Sequence, residues 1–152
     1  MYFPDLSPFN YLPIDAQRKF VAVGWLEVDR PFAQGDVNKE FVDKLAELCV
    51  NPWQPCIAMG RHNCSFCRFS GGPTSFRSGT KDIEIGASNV FIPGDGILYV
   101  APSLILHYLD AHGYQAPVEF QSAVMNCPPM RSMNYLKAIL KNGPKGIGVS
   151  AK

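Results

Sequence analysis

Two periodicities run along the chain. Phe20-Val21-Ala22-Val23-Gly24-Trp25-Leu26 is a continuous, partly β-branched apolar run and predicts a buried strand. Phe41, Val42, Leu45, Leu48 and Cys49 repeat with the spacing of one helical face and predict a helix over about 38–50, with Asp36 as its N-cap. Asn51-Pro52-Trp53-Gln54-Pro55 stops it, and Cys56-Ile57-Ala58-Met59-Gly60 is a second candidate strand. Residues 60–80 show little period. From Asp82 the pattern alternates through Ala87, continues as Asn89-Val90-Phe91-Ile92, turns at Pro93-Gly94-Asp95-Gly96 and returns as Ile97-Leu98-Tyr99-Val100-Ala101. Two or three antiparallel strands fit it.

The rest reads as helix. Pro102 suits a first helical turn, the apolar run continues to His112, and Gly113 stands where a C′ glycine belongs. Pro117 opens a second helix, broken at Cys127-Pro128-Pro129. Ser132 caps a third through Tyr135, Leu136, Ile139 and Leu140, which Asn142-Gly143-Pro144 ends. Strands and helices do not alternate regularly. The expected fold is therefore α+β, a small and mostly antiparallel sheet packed against three to four helices, with a Cys/His loop. Residues 1–152 read as one domain. Residues 1–19, rich in Pro and aromatics, form an extended arm packed on it, and 143–152 form a frayed tail.

Composition narrows the classes. Fourteen basic and thirteen acidic residues give a net charge of +1, without the positive excess of a general nucleic-acid binder. Apolar residues at 47% and charged residues at 18% argue against a disordered chain. No stretch of ~18 apolar residues exists, so no membrane helix is expected. No secretory signal is visible either. Five cysteines, an odd number, fit reduced thiols in a cytoplasm better than a disulfide framework.

The chemical lead is Gly60-Arg61-His62-Asn63-Cys64-Ser65-Phe66-Cys67. Two cysteines separated by two residues let both sulfurs converge on one ion through a tight turn, and His62 stands two residues ahead. Zn²⁺ suits such ligands. The fourth ligand comes from His107, His112, Cys56 or Cys127. At ~100° per residue, His107 and His112 are ~140° apart around a helix, so only one of them is expected to reach the loop. His107, mid-helix beside apolar residues, is the preferred one. A protonated His112 would instead suit the helix C-terminus. The expected metal set is His62, Cys64, Cys67 and His107. Packed reduced thiols or a redox pair are the competing accounts. No long helix follows the cysteines to depress a thiol pKa, which weighs against the redox pair.

Catalytic patterns are missing. No Glu occupies the place that a zinc deaminase needs after its His, and His-Glu-x-x-His is absent. Cys127 reads as a buried small hydrophobe rather than a nucleophile. Arg61, Arg68, Arg77 and Lys81 read as a solvated loop, since no phosphate-binding Gly-rich loop accompanies them. Trp25, Trp53, Tyr108 and the N-terminal aromatics read as core. Asp110, three residues after His107, is a candidate to orient that ring.

Several segments together carry a resemblance. These are Tyr2-Phe3-Pro4-Asp5-Leu6-Ser7-Pro8, Val23-Gly24-Trp25-Leu26, His62-Asn63-Cys64-Ser65-Phe66-Cys67, Ile92-Pro93-Gly94, Tyr99-Val100-Ala101-Pro102, His107-Tyr108 and Ala111-His112-Gly113-Tyr114. They span most of residues 2–135 and resemble a family of small bacterial proteins of unknown function. The resemblance implies a stand-alone bacterial domain, singles out His62, Cys64, Cys67, His107 and His112, and brings no activity with it. Two functions then stand as expectations. One is a zinc-stabilised protein that acts by binding another protein, of immunity or adaptor type. The alternative is a metal-dependent enzyme of hydrolase type, with water on the ion.

Overall fold

A computed structural model describes residues 1–12, 18–55 and 60–147. Within them the order is β1 (Phe20–Ala22), α1 (Lys39–Leu48), β2 (Ser75–Ser78), β3 (Lys81–Glu84), β4 (Asn89–Pro93), β5 (Leu98–Pro102), α2 (Ile105–Ala111), α3 (Val118–Met125) and α4 (Met133–Asn142). The candidate strand at Cys56–Gly60 falls largely on residues 56–59, outside the described residues, as do residues 13–17 of the arm and 148–152 of the tail.

The central sheet has three strands in the order β1-β5-β4. β5 runs antiparallel to β4 and parallel to β1, with Phe20 opposite Leu98. Because β5 is buried at every position, both of its faces are covered, which explains a continuous apolar run rather than an alternating one. β2 and β3 form a separate antiparallel hairpin. Four helices and mostly antiparallel pairing make this an α+β fold.

Local chemistry sets the ends of the elements. The predicted strand 20–26 stops early, because Gly24 takes φ +79° and a Cβ there would lie 2.7 Å from Cδ1 of Ile105. The N-cap of α1 is Asn38 rather than Asp36; its side chain accepts from the N–H groups of Glu40 and Phe41 at 2.9 and 3.3 Å. Pro102 ends β5 instead of starting a helix, and α2 begins at Ile105. Ser132 caps α4 by accepting from Tyr135 N–H at 3.1 Å. β2 was not expected. Its residues alternate between exposed and half-buried, so they carry little apolar signal.

The N-terminal residues bridge onto the sheet, Phe3 to Trp25 and Pro8 to Val21. Phe9 and Trp25 are buried and stacked, with centroids 4.9 Å apart, and Trp25 Nε1 donates to Val100 O at 2.9 Å. Asp5 clips the arm to the far end of α2. It accepts from Gly24 N–H and from the Tyr114 hydroxyl, each at 2.9 Å. Burial pushes the Asp5 carboxyl above the usual aspartate range, against the pull of those two donors. A raised folded value means that the fold holds this proton more tightly than the unfolded chain. The contribution therefore favours folding at low pH and is lost as pH rises from about 4 through the raised value. Asp5→Asn keeps an acceptor but does not titrate. Relative to it, the wild-type chain is expected to lose stability in urea unfolding as pH rises above about 4; a gap that stays constant with pH refutes the assignment.

Candidate metal centre

The loop from Gly60 to Gly72 is folded by main-chain bonds. His62 N–H donates to Gly86 O, Cys64 N–H to Gly71 O, and Gly71 N–H to Cys67 O, at 2.7, 2.7 and 2.8 Å. The tight return needs Gly71 and Gly72 at φ +72° and +88°. Cys64 is thereby turned inward, 2% exposed, and Cys67 is left half-buried. Burial raises the Cys64 thiol, against the smaller opposing pull of the Cys67 and Phe66 main-chain N–H groups.

The partners come from the end of α2. His107 sits within the helix and is 7% exposed. The helix then stops. His112 has φ −119° and ψ 9°, Gly113 takes φ +63°, and Tyr114 N–H returns to Tyr108 O at 3.3 Å, a bond six residues back that closes such an end. Because His112 has left the helical path, the ~140° count of an ideal helix no longer separates it from His107. The two Nε2 atoms lie 3.2 Å apart. The expectation that only one of them meets the loop is corrected.

Ligand atoms of Cys64, Cys67, His107 and His112 all lie within 4.8 Å of one another. Cys64 Sγ is 3.4 Å from His112 Nε2, and Cys67 Sγ is 3.4 Å from His107 Nε2 and 3.7 Å from His112 Nε2. Bond lengths of about 2.3 Å to sulfur and about 2.0 Å to nitrogen, set at tetrahedral angles, imply about 3.5 Å between S and N and about 3.3 Å between N and N. The three S–N separations and the N–N separation lie near these values.

The charges match as well. Burial, and then the neighbouring His112, hold the His107 imidazole below the usual histidine range; burial does the same to His112. Both rings thus keep lone pairs near neutral pH, and a protonated His112 serving the helix end is not what this environment favours. Burial pushes the Cys64 thiol up, and the adjacent Cys67 sulfur adds to that. Two thiolates with two neutral imidazoles are costly to bury alone, and with one divalent cation they are neutral.

His62 lies outside this group, which corrects the expected ligand set. Its main chain is held by Gly86, its Nε2 is 3.4 Å from the Tyr108 hydroxyl, and its ring stands edge-on to Trp25 at 5.4 Å. Cys127 is buried elsewhere, with its thiol pushed up to about 11 by burial and its Sγ 3.4 Å from Pro128 O. Cys56 lies outside the described residues. Asp110 is exposed and acts on His107 through charge alone, favouring its protonation. Two supporting residues were not anticipated. Phe66 packs at a tilt against His112 at 4.9 Å and edge-on against Tyr108 at 6.0 Å. Gly72 is the other: a Cβ there would lie 2.8 Å from Cβ of Cys64 and 3.7 Å from Nε2 of His107. Gly72→Ala therefore strains the backbone and crowds the ligands together, and is expected to reduce bound metal well below one ion per chain, as read by elemental analysis. Full occupancy in that variant refutes this role.

A family model described as a domain of unknown function (DUF7919) matches residues 1–125, a span that includes all four ligand residues. No curated protein and no solved structure matches the chain.

Proposed function

The chain belongs to the family described as a domain of unknown function, DUF7919, and from that premise we propose that it is a zinc-braced binding protein rather than a metalloenzyme. The observation that carries this reading is the convergence of four ligand atoms from Cys64, Cys67, His107 and His112 within 4.8 Å. A catalytic zinc keeps one position for water, whereas four protein ligands at tetrahedral spacing fill the coordination sphere. The ion then ties the Gly60–Gly72 loop to the end of α2. Zn²⁺ is preferred over harder cations because two of the donors are sulfur.

The surface that presents itself for another protein is the tip of this loop. Phe69 is fully exposed there beside Arg68, held on a stiff base. An immunity or adaptor role would use such a tip. A reducing compartment such as a cytoplasm suits the reading, because Cys64 and Cys67 must stay free thiols to ligate. Among the described residues no helix is long and apolar enough to cross a membrane.

Native mass spectrometry of the protein expressed without chelators tests the metal. One zinc per chain is expected, with two protons displaced from the thiols. A metal-free mass, or a chain that takes up zinc at no defined stoichiometry, overturns the reading.

A further inference from the structure

The metal loop has a second side. Arg61 and His62, which are not among the four ligands, line a cavity of about 150 Å³, with Trp25, Tyr11, Gly86 and Asn89 around it. From this lining we infer that the cavity binds a small planar organic monocarboxylate.

Charge makes the first argument. Among the described residues that line the cavity there is no aspartate or glutamate, while Arg61 supplies a full positive charge. The nearby Glu27 carboxylate is tied to the Met1 amine at 2.8 Å and leaves that charge standing. A half-open space walled by one cation and hydrogen-bond donors favours an anion.

Preorganisation makes the second. Arg61 Nη2 donates to Ile85 O at 2.7 Å, which fixes the guanidinium and leaves the rest of its donors for a ligand. The fit is close. A Cβ on Gly86 would lie 3.0 Å from Arg61 Nη2, so a glycine there lets the guanidinium lie flat on the chain. The His62 ring is held between Trp25 and the Tyr108 hydroxyl. A fixed, planar fork is suited to the two oxygens of a carboxylate.

Shape makes the third. Trp25 spends its indole N–H on Val100 O, so it offers the cavity only ring surface. Tyr11 adds a second aromatic side chain. Aromatic lining of this kind favours a flat apolar body behind the carboxylate. The metal centre enters only as the brace that holds Arg61 and His62 in place.

Benzoate is the probe, and benzamide is its neutral isostere. In ¹H–¹⁵N spectra of the zinc-loaded chain, benzoate is expected to shift the Trp25 indole and the Arg61 and His62 amides saturably. It should bind at least tenfold tighter than benzamide, about 1.4 kcal/mol. Arg61→Ala and Ala87→Glu should each weaken benzoate at least tenfold. Ala87 is exposed at the rim, so the second variant adds an acid without disturbing the core. Equal binding of benzamide, shifts that map elsewhere, or indifference of both variants overturns the inference. Zinc content is read on the same samples. Full zinc without benzoate binding sinks this inference alone, and benzoate binding without zinc sinks the metal reading alone.

Discussion

Stripping zinc at pH 7 is expected to lower the thermal midpoint by at least about 10 °C, since a change of 1 kcal/mol moves the midpoint of a domain this size by about 2–4 °C and closed zinc sites contribute several kcal/mol. The loss should be local in origin. Two of the main-chain bonds of the Gly60–Gly72 loop lie within it and the third runs to Gly86, so once the ion is gone the contacts described to α2 are those of Phe66 with Tyr108 and His112 and of His62 with Tyr108. Single substitutions then separate the ligands from the bystander. His112→Ala and Cys67→Ser should lose the stoichiometric ion and reproduce the drop in the midpoint. His62→Ala should keep one zinc per chain, because its ring touches Tyr108 and Trp25 rather than the sulfurs. Zinc analysis and calorimetry on the three variants check this. If His62→Ala empties the site and His112→Ala does not, the centre is built from the wrong histidine.

Phe120→Ala is expected to cost about 3–5 kcal/mol, the range for emptying a buried aromatic position, and to lower the midpoint by about 6–20 °C. Phe120 is fully buried on α3, edge-on to Phe41 of α1 at 6.0 Å and to Tyr99 of β5 at 5.7 Å. It therefore joins two helices to the central strand, and a cavity there cannot close without moving all three. None of its ring contacts reaches the metal ligands, so zinc content should stay at one per chain. Urea unfolding with metal analysis makes the comparison. A midpoint within a few degrees of wild type would show that this junction repacks freely.

Much of the fold was legible because period and burial agree. α1 and α4 bury one face each, Phe41 and Leu45 in one and Tyr135 and Ile139 in the other, and their N-caps, Asn38 and Ser132, are polar residues whose side chains accept from the first turn. β4 and β5 are apolar runs around a strong turn. β2 was not legible because Ser75-Phe76-Arg77-Ser78 is held by pairing with β3 rather than by a buried face. The centre was half legible. Cys64 and Cys67 follow from spacing, and His107 from its apolar flanks. His112 is set aside when ideal helical angles are carried through the residue just before Gly113, whereas His112 is the C-cap and its backbone has already left the helix. Stopping the count at Ala111, the last helical residue, keeps both histidines. His62 looked like a ligand through nearness in sequence, but the chain before Cys64 is tied to Gly86, and that bond sets where the ring goes.

The parallel pairing of β1 with β5 has a consequence for synthesis. Phe20–Ala22 is synthesised well before its hydrogen-bonding partner, Leu98–Val100. Until β5 is made, this apolar stretch has no strand to join, and the arm that docks through Trp25 waits with it. Long-range pairing of this kind is slow and leaves sticky edges exposed. The nascent chain therefore carries an unpaired apolar strand until β5 emerges.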